Sequence, residues 1–130
     1  MDGSSLQARR VPDAVDALAP DGSEIRLLVS VSGASMVHCT LPPGQTTVPV
    51  RHRTVEEVWY ILSGRGEVWR KLGDVEEIRA VSAGDSLNIP LGAHFQFRTV
   101  GDEPLRMVIT TIPPWPGEDE AIVSELAAWR

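Results

Sequence analysis

Between residues 25 and 112 the chain alternates short β-branched or apolar runs with breaks built from glycine, proline and aspartate. The runs are Ile25 to Val31, Ser35 to Leu41, Val48 to His52, Glu57 to Leu62, Glu67 to Arg70, Val75 to Val81, Ser86 to Ile89, Phe95 to Val100 and Leu105 to Ile112. Runs of a few residues bounded by turn formers predict strands, and a succession of them predicts an all-β sandwich or barrel. No segment between them sustains a helical period. The tail reads differently. Pro113, Pro114 and Pro116 predict a stiff linker, and Glu118 to Trp129 places Ile122, Leu126 and Trp129 on one face of a single C-terminal helix. At the other end, residues 2 to 10 are polar, and Pro12, Pro20 and the Asp21-Gly22 turn break up the stretch before the first run. The pattern divides the chain into an arm over 1–24, a β-barrel over 25–112, and a proline-rich linker with its helix over 113–130.

Size and charge narrow the class. A chain of 130 residues suits one domain with one core. The net charge is -6, and no basic run is longer than Arg9-Arg10, which argues against nucleic acid or an anionic membrane as partner. A single cysteine, Cys39, leaves no intrachain disulfide and reads as a small buried apolar residue. No apolar stretch near Met1 has the length of a signal peptide or a membrane span, so the cytoplasm is the expected location. Apolar strand faces and an amphipathic terminal helix predict a homodimer.

Two glycine-anchored blocks stand inside the β region. The first runs Gly44, five residues, Val50, Arg51, His52, four residues, Glu57, six residues, Gly64. The second runs Gly84, five residues, Pro90, Leu91, Gly92, Ala93, His94, Phe95, Gln96, Phe97. Together they resemble the two motifs of the cupin family, G-x5-H-x-H-x3 or 4-E-x6-G and G-x5-P-x-G-x2-H. The glycines, Pro90, His52 and Glu57 fall in register, whereas Val50 stands at the first histidine position and Phe95 at the last. The resemblance implies a double-stranded β-helix, the jelly-roll barrel of that family. It also implies a divalent metal (iron, zinc, manganese or nickel) and a small organic substrate inside the barrel. Relatives by resemblance include dioxygenases, isomerases and decarboxylases.

Strand alternation says which side chains face in. Val50 and His52 share one face with Arg51 on the other, and Glu57, Trp59 and Ile61 share a face of the next strand. If the first block folds as a hairpin-like pair, His52 and Glu57 approach each other, satisfied by a mutual hydrogen bond or a metal ion. His38 and His94 are the candidate further ligands; either would complete two histidines and one carboxylate. The second block has two possible registers. Without a gap, Phe95 and Phe97 line the cavity; with a one-residue deletion after Gly92, His94 and Gln96 do. Val50, Trp59, Phe95, Gln96 and Phe97 are therefore the candidate pocket residues. Three functions are compatible with these residues: a metal-dependent oxygenase or isomerase, a metal-free acid-base isomerase using His52 and Glu57, and a non-catalytic barrel holding an apolar compound.

Overall fold

A computed structural model describes residues 3–130 of the protein. Eleven strands form among them: β1 Ala17–Leu18, β2 Glu24–Val31, β3 Ala34–Leu41, β4 Val50–His52, β5 Glu56–Ser63 and β6 Arg65–Leu72, then β7 Val75–Ser82, β8 Ser86–Ile89, β9 His94–Thr99, β10 Leu105–Ile112 and β11 Ala121–Val123. They make two antiparallel sheets, one in the order β1-β2-β3-β10-β5-β8 and the other β11-β4-β9-β6-β7. The expected all-β barrel is the fold observed.

The chain changes sheets at the corners that the glycines supply. β5 belongs to the first sheet and β6 to the second, with only Gly64 between them. Gly64 has φ of +82°, and a Cβ there would lie 2.1 Å from the carbonyl oxygen of Pro104, so no larger residue fits. Beside this corner β10 shifts register against β5 between Arg106 and Met107. Strand alternation then fills the space between the sheets. On β5, Glu57, Trp59 and Ile61 are buried while Val58, Tyr60 and Leu62 are exposed. Leu41, Ile61, Val68, Phe97, Leu105 and Met107 close one part of the barrel as apolar core.

Two stretches depart from the sequence reading. In place of a helix over Glu118 to Trp129, the tail makes a short 3-10 turn at Glu118–Glu120, then β11, then irregular chain. Its backbone does something a helix could not: Ala121, Ile122 and Val123 pair with His52, Arg51 and Val50 and cover the open edge of β4. The remaining tail lies on the outer face of β9, held by Ser124, by the main chain at Ala128 and Trp129, and by the Trp129 ring. The stretch read as an N-terminal arm runs along the first sheet's edge. β1 pairs with β2, and the side chains of Gln7 and Asp16 accept the amides of Ser30 and Leu27 at 3.1 and 2.8 Å. No helix among the described residues is long and apolar enough to cross a membrane.

Candidate functional site

A cavity of about 740 Å³ opens between the sheets at the end away from the packed core. His52 closes β4 in the second sheet and Glu57 begins β5 in the first, so the two face the cavity from opposite walls. The hairpin expected for them does not form, because β4 pairs with β9 and β11 while β5 pairs with β10 and β8. Their mutual hydrogen bond is absent as well. Glu57 accepts from Trp59 Nε1 at 3.0 Å and from Thr111 Oγ1 at 3.2 Å, and His52 Nδ1 is buried with no partner. The imidazole is instead held by rings, with Phe95 and Trp115 each edge-on at 5.2 Å between centroids.

Burial pushes the two groups in opposite directions. It lowers the His52 pKa to about 4, against the opposing charge of Glu120, so the imidazole is neutral at pH 7. It raises that of Glu57 to about 7, where the bonds from Trp59 and Thr111 only partly offset the loss of water and the nearby Asp21 and Glu120 add to the rise. Asp21 is raised by burial too, despite the amide and hydroxyl of Ser23, which donate to its Oδ1 at 2.9 and 2.7 Å. The buried Cys39 thiol is likewise pushed up, chiefly by burial, and stays protonated.

The register of β9 is set by its pairing. Val50 lies opposite Phe95 and Arg51 opposite His94, and directly paired residues share a face. Phe95 therefore lines the cavity with Val50 and Trp59, and Phe97 packs at 5.2 Å from Trp59 in the core beneath. His94 and Gln96 point to the outer face. His94 Nδ1 lies 2.6 Å from Ser124 Oγ, and the buried Gln96 side chain donates to the carbonyls of Thr47 and Trp129 and accepts the amides of Ala128 and Trp129. Both are anchors for the tail, not cavity residues. His38 is also outside: it pairs with Arg26 and Val108 on β3, whereas its neighbours Val37 and Cys39 face in. Arg53 is exposed, and its Nε donates to the carbonyl of Asp119 at 2.8 Å.

These placements bear on the metal that the resemblance implies. Of the four candidate ligands only His52 and Glu57 face the cavity, and the two remaining positions of the motif carry the hydrocarbon of Val50 and the ring of Phe95. Glu57 already accepts two hydrogen bonds. Among the described residues no group of three or more His, Cys, Asp or Glu side chains is disposed to hold a metal ion. Protein sites for transition metals draw at least three such donors, so the residues present do not fit one.

Three residues near the site were not candidates from the sequence pattern. Asp21 enters the cavity from the turn before β2. Trp115 comes from the linker after β10, fixed by its amide donating to Ser35 Oγ at 3.1 Å. Glu120 folds back from the tail, and its carboxylate accepts the Thr54 amide (2.7 Å), the Thr54 hydroxyl (2.5 Å) and the Val55 amide (3.0 Å), locking the turn between β4 and β5. Burial works against its ionisation, but these donors hold its pKa below the usual value. Only the Asp21-Gly22 turn signal could have drawn attention to Asp21.

Comparison with known proteins places this geometry. The Cupin domain profile matches residues 37–111. A protein of Methanocaldococcus jannaschii described as uncharacterized protein MJ1618 is 32% identical over 111 residues, 82% of this chain and 86% of its own. Mannose-1-phosphate guanylyltransferase 2 of Escherichia coli O157:H7 is 34% identical over 80 residues, 62% of this chain but 16% of the transferase. Among solved structures, a Bacillus subtilis oxalate decarboxylase described for its Mn(II) centers superposes with a TM-score of 0.68 at 17% identity, over 83% of this chain. This chain spans 30% of the decarboxylase's length, and the likeness is one of fold.

Proposed function

The chain belongs to the cupin family, and from that premise we propose that it binds a small organic molecule in its barrel without a metal ion. The observation that carries this reading is the character of the cavity wall. Val50, Trp59, Phe95, Ile109 and Trp115 give it apolar surface, and His52 and Glu57 add a few fixed polar atoms, the usual composition of a small-molecule site. About 740 Å³ accommodates a ligand of drug-like size. Trp115, placed against His52, covers part of the ligand and keeps water from it.

A screen of neutral, cationic and anionic compounds by thermal shift tests the proposal. At least one class raises the Tm in a concentration-dependent way, by mass action on the folded state. Ala121→Phe, which pushes a ring into the cavity beside His52, abolishes the shift. No shift with any class, or an equal shift in the variant, sinks the reading.

A second reading, proton transfer, is favoured by Glu57 itself. A carboxyl titrating at about 7 both gives and takes a proton readily at neutral pH. In this reading Glu57 removes a proton from carbon beside a carbonyl and returns it on the same or a neighbouring atom, which is isomerase chemistry. Deuterium entering a bound carbonyl compound from heavy water, dependent on Glu57, supports it; an unlabelled ligand rules it out.

A further inference from the structure

We propose that the ligand of this cavity is an organic cation, a small amine whose carbon body lies on the aromatic wall and whose ammonium is taken by Glu57 and Asp21. This rests on the proposal that the barrel binds a small molecule, and it names the chemical class. Acidic side chains outnumber cationic ones along the cavity. Asp21 and Glu57 present carboxyls to it. The single cationic side chain among the lining residues is Arg9, paired with Asp16 at 3.2 Å. His52 contributes a neutral ring.

An anionic ligand would meet two acids and no available counter-charge, and a buried unpaired anion is among the costliest groups to desolvate. A neutral ligand would be tolerated and gain only its apolar contacts. An ammonium changes the balance, because burial raises the pKa of both carboxyls and no cationic neighbour offsets it. Placed beside them, the cation favours the ionised carboxylate and forms a charge-assisted hydrogen bond with it.

The unpartnered polar atoms agree with that chemistry. Asp21 is 8% exposed, and the amide and hydroxyl of Ser23 both donate to its Oδ1. His52 is 5% exposed, and its Nδ1 has no partner. With the ring proton on Nε2, Nδ1 is an acceptor. An ammonium carries donors and no acceptor, which suits the carboxyl oxygens of Asp21 and Glu57. The rings supply the rest. Trp59 and Phe95 lie 5.5 Å apart, Trp115 and Phe95 flank His52, and ring faces attract cations that have left water. Trp59 also donates to Glu57, so an aromatic ring and a carboxyl are fixed side by side.

Three probes that share a benzene ring and differ in charge test this: benzylamine, benzyl alcohol and benzoate, titrated calorimetrically into the full chain at pH 7.5. The expected result is benzylamine binding at least tenfold tighter than benzyl alcohol, with benzoate undetected. Glu57→Gln reduces the preference for the amine to less than threefold. Asp21→Asn serves as the second variant, with the same direction expected, should the first not fold. Benzoate binding as tightly as benzylamine, or benzyl alcohol matching it, overturns the inference while leaving the small-molecule reading intact. Failure of all three probes overturns the inference, and failure of the wider compound screen as well overturns both.

Discussion

His52 and Glu57 share a cavity but respond to burial with opposite signs, and the consequence is measurable in stability. Glu57 titrates near 7 in the folded chain against an ordinary value of 4.5. The folded state therefore holds the extra proton between those limits, and stability from this group is full below about pH 4.5 and lost as pH rises through 7. The shift corresponds to about 3 kcal/mol. His52 runs the other way. Its value falls from 6.5 to about 4, so its stability is full above 6.5 and lost as pH falls through 4. Over the overlapping window the two slopes oppose, and the wild-type profile hides both. Glu57→Gln removes one of them. Urea unfolding at pH 4.5 and pH 8 should show the stability of the variant, relative to wild type, rising by about 3 kcal/mol between the two. A constant difference would mean that Glu57 keeps an ordinary pKa. Both residues were legible in the sequence, because motif spacing and strand alternation are local. Asp21, Trp115 and Glu120 were not. They reach the site through pairings across the whole chain, which no local period records.

Strands were readable as elements because each is short, apolar on at least one face and closed by a turn former. The tail misleads for an equally physical reason. Ile122, Leu126 and Trp129 fall at helical spacing, yet Ile122 and Val123 are β-branched, and the open edge of β4 offers them backbone partners that solvent cannot match. Tertiary pairing outweighs a weak local preference. Beyond β11 the anchoring passes to one side chain. Gln96 is 2% exposed and makes four hydrogen bonds, three of them to the main chain of Ala128 and Trp129. Arg98, two residues along the same face of β9, lies 4.3 Å from the centroid of the Trp129 ring. Gln96→Ala should cost about 2–4 kcal/mol, since it strips several bonds and leaves the Thr47 carbonyl without this donor. Amide exchange at residues 124–130 should rise sharply while β5 and β10 stay protected. Unchanged exchange in the tail would show that other contacts hold it. The cavity stays formed in that variant, because Glu120 and β11 tie the preceding segment independently.

At the scale of the molecule, the decisive property is how two sheets deliver side chains to one space. Val50 and His52 come from β4, Phe95 from β9 and Glu57 from β5, and all four face the same cavity. Sequence left the register of β9 open, since His94 or Phe95 could have faced inward. Burying both Phe95 and Phe97 decided it, because the other register would have put two aromatic rings on the outer face and two polar side chains into the core. The barrel thus has the framework of a four-donor site with two donors replaced by hydrocarbon. This gives a direct test of the assembly. After growth in metal-supplemented medium, the wild-type chain should hold less than about one tenth of a metal ion per chain, and a chelator should leave its Tm unchanged. Val50→His with Phe95→His should supply the missing imidazoles to the pair already present. The double variant should take up one cobalt ion per chain with visible absorption in the tetrahedral range and a Tm that rises with metal. Stoichiometric metal in the wild type, lost in His52→Ala, would falsify the metal-free reading. A double variant that folds yet binds no cobalt would show instead that the four positions do not converge, which the pairing of Val50 with Phe95 and the placement of Glu57 opposite them rule against.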